Sequence, residues 1–429
     1  MDRTKADISP PKLVSALGRF DLLPAIVFLP TRRRCDEAAS EVAADKSQKA
    51  DPERQARRKE IFQEFAFHFP EVLDHKHAKV IVRAGVAAHH AGHIPSWKLL
   101  IERMMSAGLL NALFATSTVA AGVDFPARTV VISNADTRGN EGWRPLTASE
   151  LQQMTGRAGR RGRDLVGFVI LAPGQFQNPI KIAELLKAPP DPLESRFRAT
   201  YTSLLNLLDA FGDFDQVREI AERSFAFRDS RRNAKGDERS IGQRIWRPFE
   251  KRARVLAHYG YLDIDAEQVT ESGKWLADLR IDRPLLVGEA LKHGLFDDLT
   301  PGLAAGLMAS VASDADRSYG EMHASRRMND ILTEFEEIVY EVSGVEWKTG
   351  IEPVEDINYS AAAAAERWTA GMDWDELVDR TKAEEGDLVR LLSRTGEALR
   401  QLAHLKDASA AAAAIAFAAG DAILREPVR

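Results

Sequence analysis

Leu113 to Ile132 reads LFATSTVAAGVDFPARTVVI, and Glu150 to Arg163, after a polar bend, reads ELQQMTGRAGRRGR. The first run has the apolar character of a buried strand and then turns at a glycine and an acidic residue. The second predicts a helix whose end carries three arginines and three glycines in seven residues. Gly156-Arg-Ala-Gly-Arg-Arg-Gly162 is poor helix material, because each glycine costs about 1 kcal/mol relative to alanine. Its chemistry suits an anion. Arginine offers a planar, permanently charged fork, and glycine lets backbone and guanidinium groups crowd against a ligand such as a nucleotide phosphate.

Working outward, Pro24-Ala-Ile-Val-Phe-Leu-Pro30 is another short apolar run of the buried parallel-strand kind. Residues 1–20 read as a lead-in that ends at a linker marked by Pro10-Pro11. A helix is expected from near Cys35, then a charged helical stretch over 45–79. Val80 to Ala88 is a weaker strand, ended by His89-His-Ala-Gly92, and Ser96 to Ala107 is an amphipathic helix. Leu110–Thr116, Arg128–Ser133 and Gly167–Leu171 read as strands. Strands alternating with helices imply a parallel sheet covered on both faces, with its strand-to-helix loops gathered on one ligand-binding edge.

Pro179, Pro189, Pro190 and Pro192 mark a change of pattern, and from Leu193 onward the chain reads as mostly helical. Ile245–Tyr259 is a helix, and Tyr261–Asp265 with Gln268–Thr270 could form a small wing, which together suggest a winged helix. Helices are expected over 284–293, 301–312, 326–342, 359–371, 373–381 and 385–406, followed by an Ala-rich tail.

Composition excludes several classes. One cysteine, Cys35, rules out an internal disulfide and argues for a reducing compartment. No apolar run approaches the ~20 residues of a membrane span, and the N-terminus lacks a signal-peptide segment, so a cytoplasmic location is expected. A net charge of −6 speaks against non-specific coating of nucleic acid, but it allows one local strand-binding groove.

Gln153-x-x-Gly156-Arg157-x-Gly159-Arg160 resembles the sixth signature motif of superfamily 2 helicases. Ala115 to Pro126 looks like the fifth, Ile26 to Arg32 resembles the fourth, and His89-His-Ala-Gly92 is spaced as in the superkiller-like, exosome-associated DExH group. Pro192–Leu208, Glu222–Phe225 and His293–Pro301 are also similar to members of that group. The resemblance implies an α/β RecA-like lobe over 1–178, a winged helix over 179–283 and an all-α helical bundle over 284–429. Only a short polar link, Arg228 to Ser240, stands where many members carry an insert, so no arch-like accessory domain is expected.

The same resemblance implies roles. Arg160 would be the arginine finger, Arg157 would contact the γ-phosphate, and Gln153 would position water or couple to the strand. Gly122 and Asp124 would serve the nucleotide side. Thr31, Arg32, His90, Gly92, Thr116, Ser117 and Thr118 would hold nucleic acid. In the bundle, the family's ratchet helix corresponds to residues 359–371, where Arg367 and Trp368 could pair with or stack on bases. The alternative there is that the alanines pack tightly and Trp368 is core.

These 429 residues contain no Gly-x-x-x-x-Gly-Lys-Ser/Thr phosphate loop. Asp36-Glu-Ala-Ala39 follows arginines and not an apolar strand, so it reads as ordinary helix and not as a DExx box. His89, His90 and His93 have no Cys or carboxylate at ligand spacing beside them, so no metal site is expected. Cys35 reads as a small core residue and Glu150 as an acid near a helix start.

The expectation is therefore the C-terminal portion of an ATP-dependent helicase acting on single-stranded RNA or DNA. ATP and Mg2+ would be bound only with a first RecA-like lobe, supplied in cis or in trans; this chain alone would hold neither and would be inactive. The alternative is a non-catalytic nucleic-acid-binding or regulatory subunit built on a helicase half.

Overall fold

The computed structural model describes residues 7–46, 51–117, 127–139, 142–195, 197–228, 238–313, 317–320, 322–354 and 356–429. The chain forms two compact units, Met1–Pro192 and Leu193–Arg429.

The first unit carries strands β1 (Ala25–Phe28), β2 (Val86–His89), β3 (Ala112–Ala115), β4 (Thr129–Ile132), β5 (Asp136–Gly139), β6 (Gly142–Pro145) and β7 (Phe168–Leu171). Five of them form one parallel sheet in the order β2-β3-β1-β4-β7. β5 and β6 make a separate antiparallel ribbon. Strands β1 to β4 are buried along their whole length, which is why they read as apolar runs. The register aligns Phe28 with Ala115 and Ile132, His89 with Ala115, and Ile132 with Leu171, so all five strands finish level on one carboxyl edge.

Helices α1 (Pro10–Arg19), α2 (Arg32–Ala44), α3 (Pro52–His68), α4 (Ala78–Ala84), α5 (Pro95–Ser106), α6 (Ala148–Thr155) and α7 (Pro179–Lys187) complete this unit. Three expectations are corrected. The lead-in is helix α1, because Pro10 and Pro11 sit in its first turn, where proline's missing N–H costs nothing. The Val80–Ala88 strand is helix α4 up to Ala84, closed by Gly85 at φ +63°, and only then β2. The first unit extends past 178 to Pro192, because Gln152 Nε2 donates to Ala188 O (3.0 Å) and Ser149 N donates to Asp191 (2.8 Å), which ties the α7 segment to α6.

The second unit contains α8 (Tyr201–Phe211), α9 (Phe214–Arg223), α10 (Glu238–His258), a two-stranded ribbon of β8 (Leu262–Asp263) and β9 (Gln268–Val269), and α11 (Glu271–Asp278). Then follow α12 (Pro284–Lys292), α13 (Pro301–Ala312), α14 (Arg326–Thr349), α15 (Tyr359–Thr369), α16 (Trp374–Thr381), α17 (Glu385–Ala403) and α18 (Ala410–Ile423). One hydrophobic core runs from Ala199 to Val428, so no packing break falls at 283/284. Ala361 to Ala365 of α15 are fully buried, and a Cβ added at Gly306 of α13 would lie 2.9 Å from Ala362 O. The small residues on both helices therefore serve close helix packing.

Candidate nucleotide and nucleic-acid interface

The sheet's carboxyl edge gathers the backbone-binding residues expected from the sequence. Thr31 follows β1 and caps α2, its Oγ1 accepting from Arg34 N (3.3 Å). Thr116 and Ser117 follow β3, and Ser117 Oγ lies 3.4 Å from Thr137 Oγ1. Thr31, Arg32, Thr116 and Ser117 are all half-buried. A cavity of about 270 Å³ opens at this edge, lined by Leu29, Thr31, Arg34, Ser133, Trp143 and Phe176 among others. Trp143, on β6, is 58% exposed. Sequence reasoning passed over it, because its ribbon reads only as a polar bend.

The arginine-glycine run lies on the opposite, amino edge. Ala127, just before β4, accepts from Gly159 N (2.7 Å) and donates to Arg157 O (3.0 Å). Gly159 adopts φ +90°, and a Cβ on Gly167 would stand 2.5 Å from Ala158 C and O. Two glycines are thus required by the geometry, one for a left-handed backbone and one for close approach. The expectation of a single ligand edge is corrected: arginines and hydroxyls sit at opposite ends of the strands, on the order of 10 Å apart for strands of this length. The reason is α6, which starts near the carboxyl edge with a Thr147–Glu150 capping box and runs back across the sheet to deliver its C-terminal end to the amino edge.

Arg160 is already engaged. Its Nε and Nη2 donate to both Asp164 oxygens (2.7 and 2.9 Å), and its backbone N donates to Oδ2 (3.0 Å). These hydrogen bonds from Arg160 hold the Asp164 carboxyl down at about 2. A finger role for Arg160 therefore requires release from Asp164. Gln153 is exposed and Arg157 half-buried on the same segment. Thr118, Gly122 and Asp124 lie outside the described residues.

Three expected contacts are overturned. His90 is buried, with Nε2 3.1 Å from Asp36 Oδ1, and Gly92 is buried with its N–H spent on His90 Nδ1 (3.1 Å). Neither presents a group to a strand. Trp368 is fully buried, its Nε1 donates to Ile423 O (2.8 Å), and the Arg425 guanidinium lies 3.4 Å from its ring centroid. With its donor paired and none of its surface exposed, it is core and not a base platform. Arg367 beside it is exposed.

Asp36, read as ordinary helix, is instead a hub. Its Oδ1 lies 2.8, 3.1 and 3.2 Å from Nε2 of His77, His90 and His93. Burial pushes its carboxyl up, but the hydrogen bonds from His77, His90, His93 and Lys76 outweigh this and hold it well below the usual range. The expectation that no carboxylate accompanies the histidines is therefore corrected: the fold brings one from 54 residues away. No sequence spacing reveals such a contact.

Residues 71–162 match the helicase conserved C-terminal domain, and residues 266–429 match the DSHCT (NUC185) domain. The chain is 34% identical over 241 residues to the probable helicase HelY of Mycobacterium tuberculosis (strain ATCC 25618 / H37Rv), covering 55% of this chain and 26% of that protein. It is 35% identical over 242 residues to superkiller complex protein 2 of Homo sapiens, covering 54% and 19%. It is 35% identical over 202 residues to the exosome RNA helicase MTR4 of Homo sapiens, covering 46% and 19%. The matched region spans about a quarter or less of these relatives' length. The parallel five-stranded unit with its arginine-bearing segment is a RecA-like helicase lobe, followed by a helical region. The two C-terminal domain matches and these relatives support a C-terminal half of a superkiller-like DExH helicase.

Proposed function

We propose that this chain grips a single nucleic-acid strand, RNA by preference, on the carboxyl edge of its sheet and supplies arginines to an ATP cleft on the amino edge. The observation that carries the reading is that two-edge arrangement. Hydroxyls of Thr31, Thr116 and Ser117 suit backbone phosphates, and Trp143 beside them offers a stacking face. One sheet then couples the strand to the nucleotide. RNA is favoured because one relative is named an exosome RNA helicase.

The donor set fits a triphosphate in part. Arg157 and Arg160 can neutralise charge on the transferring phosphoryl group, a role worth ~10³–10⁵ in rate when an arginine finger is complete. The described residues offer no glycine cradle with a lysine, so binding of ATP with Mg2+ would need a first RecA-like lobe, in cis or in trans. Within this chain, Arg160 must leave Asp164 to reach the cleft, and Gln153 is exposed to orient water. The β8–β9 ribbon between α10 and α11 is the wing of a winged helix, and exposed Arg367 is a residue of α15 open to a strand.

The reading is tested by purifying the chain alone. It should bind single strands weakly, with affinity falling steeply as salt rises, and it should turn over no ATP. Robust turnover by the isolated chain would overturn it. A regulatory subunit that never meets a first lobe would bind strands equally well, but would gain no activity when one is added.

A further inference from the structure

We propose that Asp36, His90 and His93 form a binding site for a divalent transition-metal ion of the zinc class. The ligand atoms of Asp36, His90 and His93 all lie within 4.8 Å of one another. His77 Nε2 meets the same Asp36 oxygen at 2.8 Å as a hydrogen-bond partner outside this group. A tetrahedral zinc site with bonds of ~2.0–2.1 Å places neighbouring ligand atoms roughly 3.3 Å apart. The 3.1 and 3.2 Å separations of His90 and His93 from Asp36 Oδ1 are close to that.

Hydrogen bonding alone accounts for the cluster poorly. One carboxylate oxygen has about two lone-pair sites, yet Oδ1 faces three imidazole nitrogens at hydrogen-bond distance. His77, His90 and His93 are all buried, so water does not relieve the crowding. A cation between the His90 and His93 nitrogens and the Asp36 oxygen satisfies these three at once and leaves His77 as the carboxylate's hydrogen-bond partner. Lys76 holds the other oxygen, Oδ2, at 2.7 Å, which fixes the carboxylate's orientation. His75 stacks on Trp97, with ring centroids 3.7 Å apart, and meets His93 edge-on at 4.9 Å, which fixes the ring of His93.

The donor types select the metal class. Imidazole with a single carboxylate suits zinc and its neighbours, whereas calcium and magnesium want mostly oxygen. Two nitrogens and one oxygen from the chain leave the fourth tetrahedral position to water. The ion would clamp α2 to the loop after β2, two segments far apart in the chain.

The test uses the whole chain, prepared without a histidine tag, stripped with chelator and titrated with Zn2+ alone, then with Co2+ as a spectroscopic probe. One zinc per chain and the intense visible bands of tetrahedral cobalt are expected. Asp36→Asn and His93→Gln should each weaken zinc binding at least ~100-fold, since loss of a ligand should exceed the ~10–100-fold cost of losing a ligand's outer-shell partner. His68→Gln, at an exposed histidine, should leave binding unchanged. Substoichiometric zinc with no tetrahedral cobalt bands in the unmodified chain would overturn the proposal, as would wild-type affinity in Asp36→Asn. The first criterion needs no variant, so it decides even if a substitution prevents folding.

Discussion

Asp164 keeps its side chain 2% exposed while accepting three hydrogen bonds from Arg160. Asp164→Asn should cost about 1–3 kcal/mol, the worth of charged hydrogen bonds lost with a partner left behind. Chemical denaturation of the two forms measures it. The pH dependence has a definite sign. Because the folded carboxyl titrates near 2, below its ordinary 3.8, the unfolded chain takes up the proton first as pH falls. The contribution is full above about pH 4 and fades toward pH 2, and the Asn variant should lack that part of the slope. Gly167→Ala should destabilise by at least about 2 kcal/mol, because its Cβ meets backbone that cannot move aside. Trp143→Ala should weaken single-strand binding by about 1–3 kcal/mol if a base stacks there, while leaving the melting temperature almost unchanged; unchanged affinity in a strand titration would remove Trp143 from the interface. The arginine-glycine run was legible because its chemistry is contiguous. The Asp36–histidine cluster was not, because its members come together only through the sheet crossover.

Among the elements, buried strands were readable wherever four apolar residues stood between turn signals, as in Ala25–Phe28 and Thr129–Ile132. The 78–84 segment deceived because Val80, Ile81 and Val82 favour strand locally, yet the turn at Gly85 and packing of Ile81 in the interior select a helix. The β5–β6 ribbon was missed because Asp-Thr-Arg-Gly and Gly-Trp-Arg-Pro lack an alternating apolar pattern. Periodicity placed Trp368 on a helix but could not say which surface that helix buried. Two glycines separate packing from propensity. Gly306→Ala in α13 should destabilise by about 1–3 kcal/mol through overpacking against Met328 and Ala362 O. Gly344→Ala in α14 has open space around its Cβ and should stabilise by about 0.5–1 kcal/mol. Equal effects at the two positions, read from thermal unfolding, would contradict the close contact between α13 and α15.

At the scale of the whole molecule, two compact units meet the chain's change of pattern at Pro192. The proline cluster at 179–192 announced the boundary, but α7 inside it belongs to the first unit through its ties to α6. Among the described residues no helix is long and apolar enough to cross a membrane. The central claim is that the amino edge serves phosphoryl transfer while the carboxyl edge holds the strand. It is tested most directly by joining this chain to a first RecA-like lobe and measuring ATP turnover stimulated by single-stranded RNA, together with strand affinity, for the parent and Arg160→Ala. The account predicts a fall in turnover of ~10³-fold or more, the scale of a lost arginine finger, with strand affinity nearly unchanged. Turnover that survives the substitution, or a parallel loss of turnover and strand binding, would contradict it.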